Sequence, residues 1–282
     1  MKLCRYGKPG YEKPGMIDGE GKLRDLSKVV DNIGPNELSP RGLKMLSKLK
    51  PESLPLVNGT PRFGVPYVGI GKFVAIGLNY SDHAKEAGMA IPTEPIVFMK
   101  ATTCINGPSD DIVQPRNSTK LDWELELGVV IGSQARYVTE AAALQHVAGY
   151  CIVNDVSERS FQMATTQWDK GKGFDTAGPI GPWLVTTDEV PDPQNLDMAL
   201  DLNGKRMQTG NTRTMIFGVA KIVSHVSQYM TLMPGDIIAT GTPPGVGLGI
   251  KPTPLFLKPG DQLKLTIRGL GEQRQKVVSY PG

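Results

Sequence analysis

Residues 121–132 read LDWELELGVVIG, and this stretch limits what the chain can fold into more than any other. Successive side chains of a β-strand point to opposite faces, so Asp122, Glu124 and Glu126 form one row. The GVVIG run that follows is typical of a strand buried on both faces. Ionised carboxylates that are buried side by side repel each other, and a cation or protonation must relieve that cost. The stretch therefore predicts a buried strand beside a cation.

The composition favours a fold built from strands. Of the 282 residues, 33 are glycine and 23 are proline, which indicates many turns and short strands rather than a helical bundle. Predicted strands far outnumber predicted helices and do not alternate with them regularly, which argues against a doubly wound sheet. The sequence therefore predicts an α+β fold that is mainly β.

Local signals mark several of the predicted elements. The segment KFVAIGLNY predicts a short buried strand, and SDHAKEAG after it predicts a helical turn that is closed by Gly88. The dipeptide Asn203-Gly204 is a strong signal for a hairpin with a type I′ turn. A longer helix is predicted in FGVAKIVSHVSQYM because one of its faces is apolar. That face is formed by Val219, Ile222, Val226 and Tyr229.

The chain divides into two predicted units. Residues 1–66 are expected to form a small N-terminal domain that ends in a linker, because residues 51–66 are rich in proline and glycine. Within this unit, SPRGLKMLSKL predicts a helix with Ser39 as its N-cap. Residues 67–282 are expected to form the main domain, which contains the candidate site residues.

Charge and composition disfavour several classes of protein. The net charge of +3 is small and no basic run is present, so no nucleic-acid partner is expected. No apolar run approaches the roughly 18 residues of a membrane helix, so no membrane partner is expected. The start MKLCRYGKPG lacks a signal-peptide core, and three cysteines without CxxC spacing indicate neither a disulfide framework nor a zinc site. We therefore expect a cytoplasmic protein.

A cation beside the acidic row needs one more oxygen ligand, and Asp155 offers it at the end of the predicted strand CIVNDVS. Taken alone, a Glu-x-Glu pair is more typical of a solvated edge strand. The neighbouring motifs NDVSER and NYSDHAKE favour a site instead. Carboxylate oxygens select hard cations, so Glu124, Glu126 and Asp155 predict a site for Mg²⁺ or Mn²⁺.

Further motifs carry candidate catalytic and binding groups. His83 and Glu86 lie three residues apart on one face of a helical turn, where they form either a general base for water or a surface ion pair. Donors for a carboxylate or a developing enolate are offered by Arg159, Gln162 and Lys172. The loop TGTPPGVGLG contains Thr242 and lacks both phosphate-binding motifs, so it either caps a small anion or is a plain turn.

These motifs, in this order, resemble the fumarylacetoacetate hydrolase family over residues 67–282. The matching stretches are GLNYSDHAKE, DWELELGVVIG, GYCIVNDVSER, KGFDTAGPIGPW and PGDIIATGTPPGVG. The resemblance implies a roll of mixed β-sheets, usually in a homodimer, and a divalent metal held by Glu124, Glu126 and Asp155. It also implies that His83 and Glu86 lie on a segment that closes over the substrate. Contacts with the substrate or the activated water are implied for Lys172, Arg159, Gln162 and Thr242.

The resemblance also implies a reaction of 2-oxo acids. We expect metal-dependent hydrolysis of a carbon–carbon bond in a 2,4-diketo acid, which gives pyruvate and a hydroxy acid. In that reaction His83 with Glu86 activates water, and Lys172 holds the developing enolate. The opening MKLCRYGKPGYEKPGMID resembles the branch of 2,4-diketo-3-deoxy sugar-acid hydrolases, such as those for rhamnonate or fuconate derivatives.

Several alternatives stay open at this point. Proteins of the same branch are also named ureidoglycolate lyases, and decarboxylase, isomerase and hydratase activities occur on the same scaffold, so the fold does not choose among them. A non-catalytic metal-binding protein is a further alternative. The set of His83, Glu86 and Lys172 disfavours it, because binding alone requires no base.

Overall fold

Strands make up most of the regular structure in the chain. The computed structural model describes residues 1–88 and 90–281. The first strands are β1 (Lys2–Tyr6), β2 (Lys13–Ile17), β3 (Leu23–Asp25), β4 (Phe73–Gly77), β5 (Ile96–Lys100), β6 (Ile105–Asn106), β7 (Ile112–Gln114) and β8 (Leu121–Asp122). The later strands are β9 (Leu125–Ile131), β10 (Val147–Asn154), β11 (Ser157–Glu158), β12 (Gly178–Thr186), β13 (Asp197–Leu202), β14 (Lys205–Asn211), β15 (Ile237–Ala239), β16 (Gln262–Ile267) and β17 (Gly271–Ser279).

The helices are few and short. The α-helices are α1 (Pro35–Leu38), α2 (Pro40–Leu46), α3 (Ser81–Ala87), α4 (Glu140–Ala143), α5 (Arg159–Gln162), α6 (Asp169–Lys172) and α7 (Val219–Tyr229). Single 3₁₀ turns lie at Pro51–Ser53, Thr102–Cys104, Leu144–His146, Thr187–Glu189, Thr212–Thr214 and Gly247–Gly249. In the part of the chain that is described, no helix has the length and apolar character needed to cross a bilayer.

Two packed sheets organise the fold. The large sheet has the order β3-β2-β1-β12-β10-β9-β15-β4-β5, with β6 beside β12, and the smaller one has the order β14-β13-β16-β17-β7. Most neighbours are antiparallel, whereas three pairs are parallel, namely β15 with β4, β17 with β7, and β12 with β6. The smaller sheet packs against β10 and β12, and one large apolar core includes side chains from both sheets. The predicted α+β, mainly β class with mixed sheets is therefore confirmed.

The N-terminal segment extends the large sheet. β1 pairs with β12 in the middle of that sheet, and β2 and β3 continue outward from it. Arg62, in the predicted linker, binds Glu12 on one side and Asp110 on the other. Residues 1–66 thus share a sheet and polar contacts with the remainder of the chain, and the division at residue 66 stays a prediction.

The predicted continuous strand over residues 121–132 is divided into β8 and β9. Between them, the backbone N–H of Glu124 donates to the side chain of Asn154, and that of Leu125 donates to Gln208. Two side-chain amides therefore replace the strand ladder at this point. The predicted burial on both faces is confirmed, because every residue of β9 is buried.

Most local signals predicted the correct element. The Ser39 side chain accepts a hydrogen bond from the Gly42 amide at the start of α2, and Gly88 ends α3 in the left-handed region at φ 66°. Asn203 and Gly204 have positive φ angles of 50° and 79°, as a type I′ turn requires. The placement of Tyr229 on the apolar face of α7 is wrong. It is 69% exposed because it ends the helix and packs against the ring of His225 instead of the core.

We predict that the three cysteines of the native protein do not react with a thiol reagent such as DTNB. Cys4, Cys104 and Cys151 are free and buried, and burial raises the pKa of each thiol, to about 11 for Cys104. A buried neutral thiol is a poor nucleophile. Absorbance at neutral pH should show no labelling before denaturation and three thiols per chain after it. Rapid labelling of the native chain would contradict this burial.

Candidate active site

A cavity of about 610 Å³ collects most of the predicted site residues. It lies between the end of β4, the start of β9, helices α3, α5 and α6, and the loop of residues 240–249. Its predicted lining residues are His83, Glu86, Glu124, Glu126, Arg159, Gln162, Lys172 and Thr242. Asp155 does not line the cavity but contacts it through Lys172. The structure therefore brings together residues that are up to 159 positions apart in the chain.

Three carboxylates converge at the floor of the cavity. Glu124, Glu126 and Asp155 are buried, and each offers an oxygen within 4.8 Å of the others. Glu124 and Glu126 flank the start of β9, while Asp155 follows β10, the neighbouring antiparallel strand. The amide of Asp155 donates to the carbonyl of Glu124 at 2.9 Å, which fixes the two segments side by side. We refer to these three residues as the acidic triad.

Two buried lysines neutralise part of the acidic triad. The ammonium of Lys172 lies 2.7 Å from Glu124 Oε2 and 2.8 Å from Asp155 Oδ2. Burial lowers the pKa of Lys172, but Asp155 and Glu124 outweigh burial and raise it above its usual value, so this lysine stays charged. Lys100 Nζ lies 2.5 Å from Asp155 Oδ1 and also donates to the carbonyl of Lys172. The sequence reasoning missed Lys100. The feature of the sequence that could have indicated it is a lysine at the end of the otherwise apolar strand IVFMK.

Arg159 connects the acidic triad to a fourth buried carboxylate. Its Nε and Nη2 both lie 2.8 Å from Asp122 Oδ2, and Nη2 is also 2.7 Å from Glu124 Oε1. Its Nη1 donates to Gln162 Oε1 at 3.0 Å. A guanidinium has five N–H donors, so these four contacts leave one hydrogen on Nη1. Asp122 therefore positions Arg159 and does not belong to the acidic triad.

The buried charges around the floor do not cancel. Asp122, Glu124, Glu126 and Asp155 supply four carboxylates, and Lys100, Lys172 and Arg159 supply three cations. Of these four carboxylates, Glu126 is the one that forms no ion pair with any described residue. Its hydrogen bond comes from the Gly241 amide at 2.7 Å.

The two glutamates of the acidic triad respond to this imbalance in opposite ways. Burial, together with Asp155 and Glu124, raises the pKa of Glu126 well above its usual value. Burial also acts to raise the pKa of Glu124, but Lys172 and Arg159 outweigh it and lower that pKa to about 2. The acidic triad is thus a set of oxygen donors whose full ionisation leaves one negative charge, that of Glu126, without a partner. Such a set fits a hard divalent cation such as Mg²⁺ or Mn²⁺.

His83 and Glu86 form a hydrogen-bonded pair in the same cavity. The Nδ1 atom of His83 lies 3.0 Å from Glu86 Oε2, and the side chains are only 15% and 25% exposed. Glu86 is held in turn by the amide of Gly245 at 3.1 Å. Because a carboxylate accepts from Nδ1–H, the arrangement leaves Nε2 of His83 available to take a proton. This partly buried pair has the geometry of an oriented base rather than of a surface ion pair.

The loop of residues 240–249 caps carboxylates that belong to the protein itself. The amide of Gly241 donates to Glu126, that of Gly245 donates to Glu86, and those of Gly247 and Leu248 donate to Asp122. At Gly247, a Cβ atom would lie 2.7 Å from Asp122 Oδ1 and 1.9 Å from the Leu255 carbonyl oxygen, so a larger residue would break the contact. Glycine is therefore required at Gly247, and also at Gly249, by the close approach of the backbone to carboxylates. At Gly241 and Gly245 it is required by positive φ angles of 95° and 101°.

Thr242 lines the cavity, but its hydroxyl group is already engaged. The Oγ1 atom donates its hydrogen to the carbonyl of Leu125 at 2.9 Å and accepts from Gln208 Nε2 at 2.8 Å. Gln208 also holds the amide of Leu125, at the break between β8 and β9. The hydroxyl of Thr242 thus fastens the loop to the start of β9, between Glu124 and Glu126, and its role in substrate binding stays a prediction.

Comparisons with known proteins extend over nearly the whole chain. The model of the fumarylacetoacetate (FAA) hydrolase C-terminal family matches residues 72–278. A protein of Burkholderia multivorans, named provisionally as a hydrolase, is 60% identical over 276 residues, which are 98% of each chain.

Solved structures share the fold at moderate identity. Fumarylacetoacetate hydrolase from the psychrophile Exiguobacterium antarcticum superposes with a TM-score of 0.90 at 36% identity, over 99% of this chain and 100% of its own. Maleylpyruvate hydrolase from Sphingobium sp. SYK-6, in complex with manganese(II) and pyruvate, has a TM-score of 0.84 at 27% identity over 100% of both chains. A 5-carboxymethyl-2-hydroxymuconate delta-isomerase from Mycobacterium smegmatis has a TM-score of 0.77 at 30% identity, also over 100% of both chains.

Because Glu126 has no ion partner, its replacement should change two quantities in opposite directions: the stability without metal should rise, and the stabilisation by Mn²⁺ should fall. Without metal, Glu126→Gln should raise the free energy of unfolding at neutral pH by about 1 kcal/mol or more, because burial and the neighbouring carboxylates make ionisation of Glu126 costly in the folded chain. At a Mn²⁺ concentration about 100 times the Kd, the unaltered protein should gain about 3 kcal/mol, and the variant should lose most of that gain. Denaturant titration with and without Mn²⁺ measures both quantities.

The matched control for this prediction is Glu140→Gln, which changes an exposed glutamate of α4. It should leave both readouts within about 0.5 kcal/mol of the unaltered protein, as is usual for exposed sites. Undiminished Mn²⁺ stabilisation in Glu126→Gln would rule out Glu126 as a metal ligand.

Proposed function

Since this chain belongs to the fumarylacetoacetate hydrolase family, we propose that it is a metal-dependent enzyme that hydrolyses a carbon–carbon bond of a 2,4-diketo acid to release pyruvate. The observation that carries this proposal is the placement of the His83–Glu86 pair in one cavity with the acidic triad and Lys172. A base for water and a charged floor for a 2-oxo acid are the two parts that such a hydrolysis needs.

The acidic triad is the proposed site for Mg²⁺ or Mn²⁺. Its buried oxygen donors and its uncompensated charge support this assignment, and the Sphingobium relative is in complex with manganese(II). When bound, the ion would act as a Lewis acid toward the carboxylate and keto oxygens of a 2-oxo acid. Its charge would turn the floor from net negative to net positive, which suits an anionic substrate.

Arg159 and Gln162 are the proposed anchors for the substrate carboxylate. Arg159 has one N–H on Nη1 that its contacts with Asp122, Glu124 and Gln162 do not use. Gln162 accepts from Arg159 through Oε1, so its Nε2 group is not used by the guanidinium, and the residue lines the cavity. Two donors on one short helix, α5, therefore face the same space. A carboxylate held by both would be fixed in orientation as well as in position.

Lys172 is the proposed donor to the oxygen on which charge develops. An ammonium has three hydrogens, and two of them point to Glu124 and Asp155. The third has no acceptor among the described residues and is available to a keto oxygen in the cavity. A donor held rigidly by two buried carboxylates requires little reorganisation as the negative charge forms.

The proposed chemistry starts at His83. Nε2 removes a proton from water, Glu86 stabilises the resulting imidazolium through Nδ1–H, and the oxygen of water bonds to the C4 carbonyl carbon. The bond between C3 and C4 then breaks and its electron pair passes to the pyruvate fragment. Protonation at C3 by the imidazolium completes pyruvate and restores the base. The other product is the carboxylic acid that contains C4.

The pair of His83 and Glu86 favours reactions that need a base, such as hydrolysis, over simple decarboxylation. An isomerisation also moves a proton and needs a base, and the release of pyruvate distinguishes hydrolysis from it. Ureidoglycolate cleavage and decarboxylation are the competing activities that an assay must separate. The sequence resemblance favours a 2,4-diketo-3-deoxy sugar acid as the substrate. The side chains of the cavity walls give a second, independent indication of the substrate tail.

We predict pyruvate release when the purified chain is incubated with Mn²⁺ or Mg²⁺ and a 2,4-diketo acid. The assay couples pyruvate to lactate dehydrogenase, and parallel samples contain oxaloacetate or ureidoglycolate. Pyruvate from the diketo acid, together with an equimolar second acid, is the expected result. Urea from ureidoglycolate without pyruvate from any diketo acid would reject the proposed hydrolase.

We predict that His83→Ala lowers kcat by about 100-fold or more, because it removes the general base. Mn²⁺ binding by calorimetry should be unchanged, since His83 is not a member of the acidic triad. The matched control is His225→Ala on α7, whose ring packs on Tyr229 and does not line the cavity. That control should keep the full rate. A His83→Ala variant with near-normal kcat would eliminate His83 as the base.

A further inference from the structure

Beyond its charged floor, the cavity has apolar walls. We propose that the substrates of the proposed hydrolase carry an apolar carbon chain beyond C4 rather than a polyol, and that Trp168 determines this specificity. The inference rests on the proposed function and adds the class of substrate tail to it. The wall residues that support it are Ile96, Phe98, Met163, Trp168, Val246 and Leu248.

Trp168 is built into the cavity wall by its neighbours. Its indole packs against Gly77 at the end of β4, where a Cβ atom would lie only 2.6 Å from the ring. The ring of Phe98 meets it edge to face, with centroids 5.3 Å apart and an interplanar angle of 69°. Trp168 also directly precedes α6, the helix that ends at Lys172. The indole is thus fixed one helical turn from the ammonium that is proposed to hold the keto oxygen.

The side of the cavity formed by the loop of residues 240–249 is also apolar. Val246 and Leu248 lie there, and the Leu248 amide is tied to Asp122 at 3.0 Å, so this segment is fastened to the floor. An extended chain that leaves C4 would pass between the indole and these aliphatic groups. Lys251 lines the cavity as well but is exposed, where ionic attraction is weak.

A polyol finds few partners on these walls. Among the described residues, the polar side chains without formal charge that line the cavity, apart from the proposed base His83 and the indole N–H of Trp168, are Gln162 and Thr242. Gln162 Oε1 accepts from Arg159, and the Thr242 hydroxyl donates to Leu125. Each hydroxyl group of a sugar-acid tail that loses water at these walls without gaining a hydrogen bond would cost about tenfold or more in affinity.

An apolar chain has the opposite effect. Each methylene group that leaves water for an apolar wall increases binding by about fourfold. From acetylpyruvate to valerylpyruvate the chain gains three methylene groups, so kcat/KM should rise by roughly 60-fold if all three contact the wall. A sugar-acid tail of the same length should fall below acetylpyruvate.

The test measures kcat/KM for pyruvate release by the Mn²⁺-loaded full chain. The substrates are acetyl-, propionyl-, butyryl- and valerylpyruvate and one 2,4-diketo-3-deoxy sugar acid. We expect a steady rise along the acyl series and a low value for the sugar acid. A flat series, or a sugar acid that is turned over as well as valerylpyruvate, would overturn this inference and leave the proposed hydrolase intact. No pyruvate from any of the five would overturn both.

Two variants test whether the rise of kcat/KM along the acyl series comes from the apolar side chains of the cavity wall. In Trp168→Ala, kcat/KM should rise by less than about twofold for each added methylene group. The value for acetylpyruvate itself should change less than the values for the longer substrates. Leu248→Ser should also flatten the series, and it carries the test if Trp168→Ala does not fold. Tyr229→Ala, which removes an exposed aromatic ring on α7, should reproduce the unaltered series. An unchanged slope in a folded Trp168 or Leu248 variant would exclude that side chain from the chain-binding wall.

Discussion

The burial of four carboxylates beside three cations is the constraint on which the rest of the structure depends. An isolated carboxylate in the interior is costly, so Asp122, Glu124 and Asp155 each have a charged partner. Glu126 has only a backbone amide, and the loop that supplies this amide contains glycines where the backbone approaches the acids most closely. The loop geometry, the buried lysines and the proposed affinity for a divalent cation all follow from the same balance of charge.

The smaller sheet has a part in the site although no strand of it forms the floor. Gln208 of β14 and Gln275 of β17 reach the break between β8 and β9, the latter through Asn154, which accepts from the amide of Glu124. These buried amides take the place of ladder hydrogen bonds and hold the backbone that carries the acidic triad. The geometry of the candidate site therefore depends on the packing of the two sheets, because loosening the sheet interface would move the carboxylates.

The sequence predicted the candidate site residues better than it predicted the residues that neutralise or hydrogen-bond them. Alternation along residues 122–126 and the motif NDVSER, which contains Asp155, predicted the acidic triad, and helical spacing predicted the pair of His83 and Glu86. Lys100 was missed because a lysine at the end of an apolar strand is usually solvated there, and only the position of Asp155 shows that it is buried. The loop of residues 240–249 is similar, because its sequence indicates capping of an anion but does not say that the anions are side chains of the chain itself.

By itself, the sequence determined the properties that depend on near neighbours. Period-two alternation, helix caps, the Asn203-Gly204 turn and the ordered family motifs predicted the fold class, the strands and the candidate residues. Tertiary structure alone decided which of those residues meet, such as Lys172 with Glu124 across 48 positions and Gly241 with Glu126 across 115. It also decided the balance of charge and the apolar wall around Trp168. The reason is physical: local spacing fixes the face on which a side chain lies, whereas contacts between distant segments depend on sheet register and on the packing of the whole core.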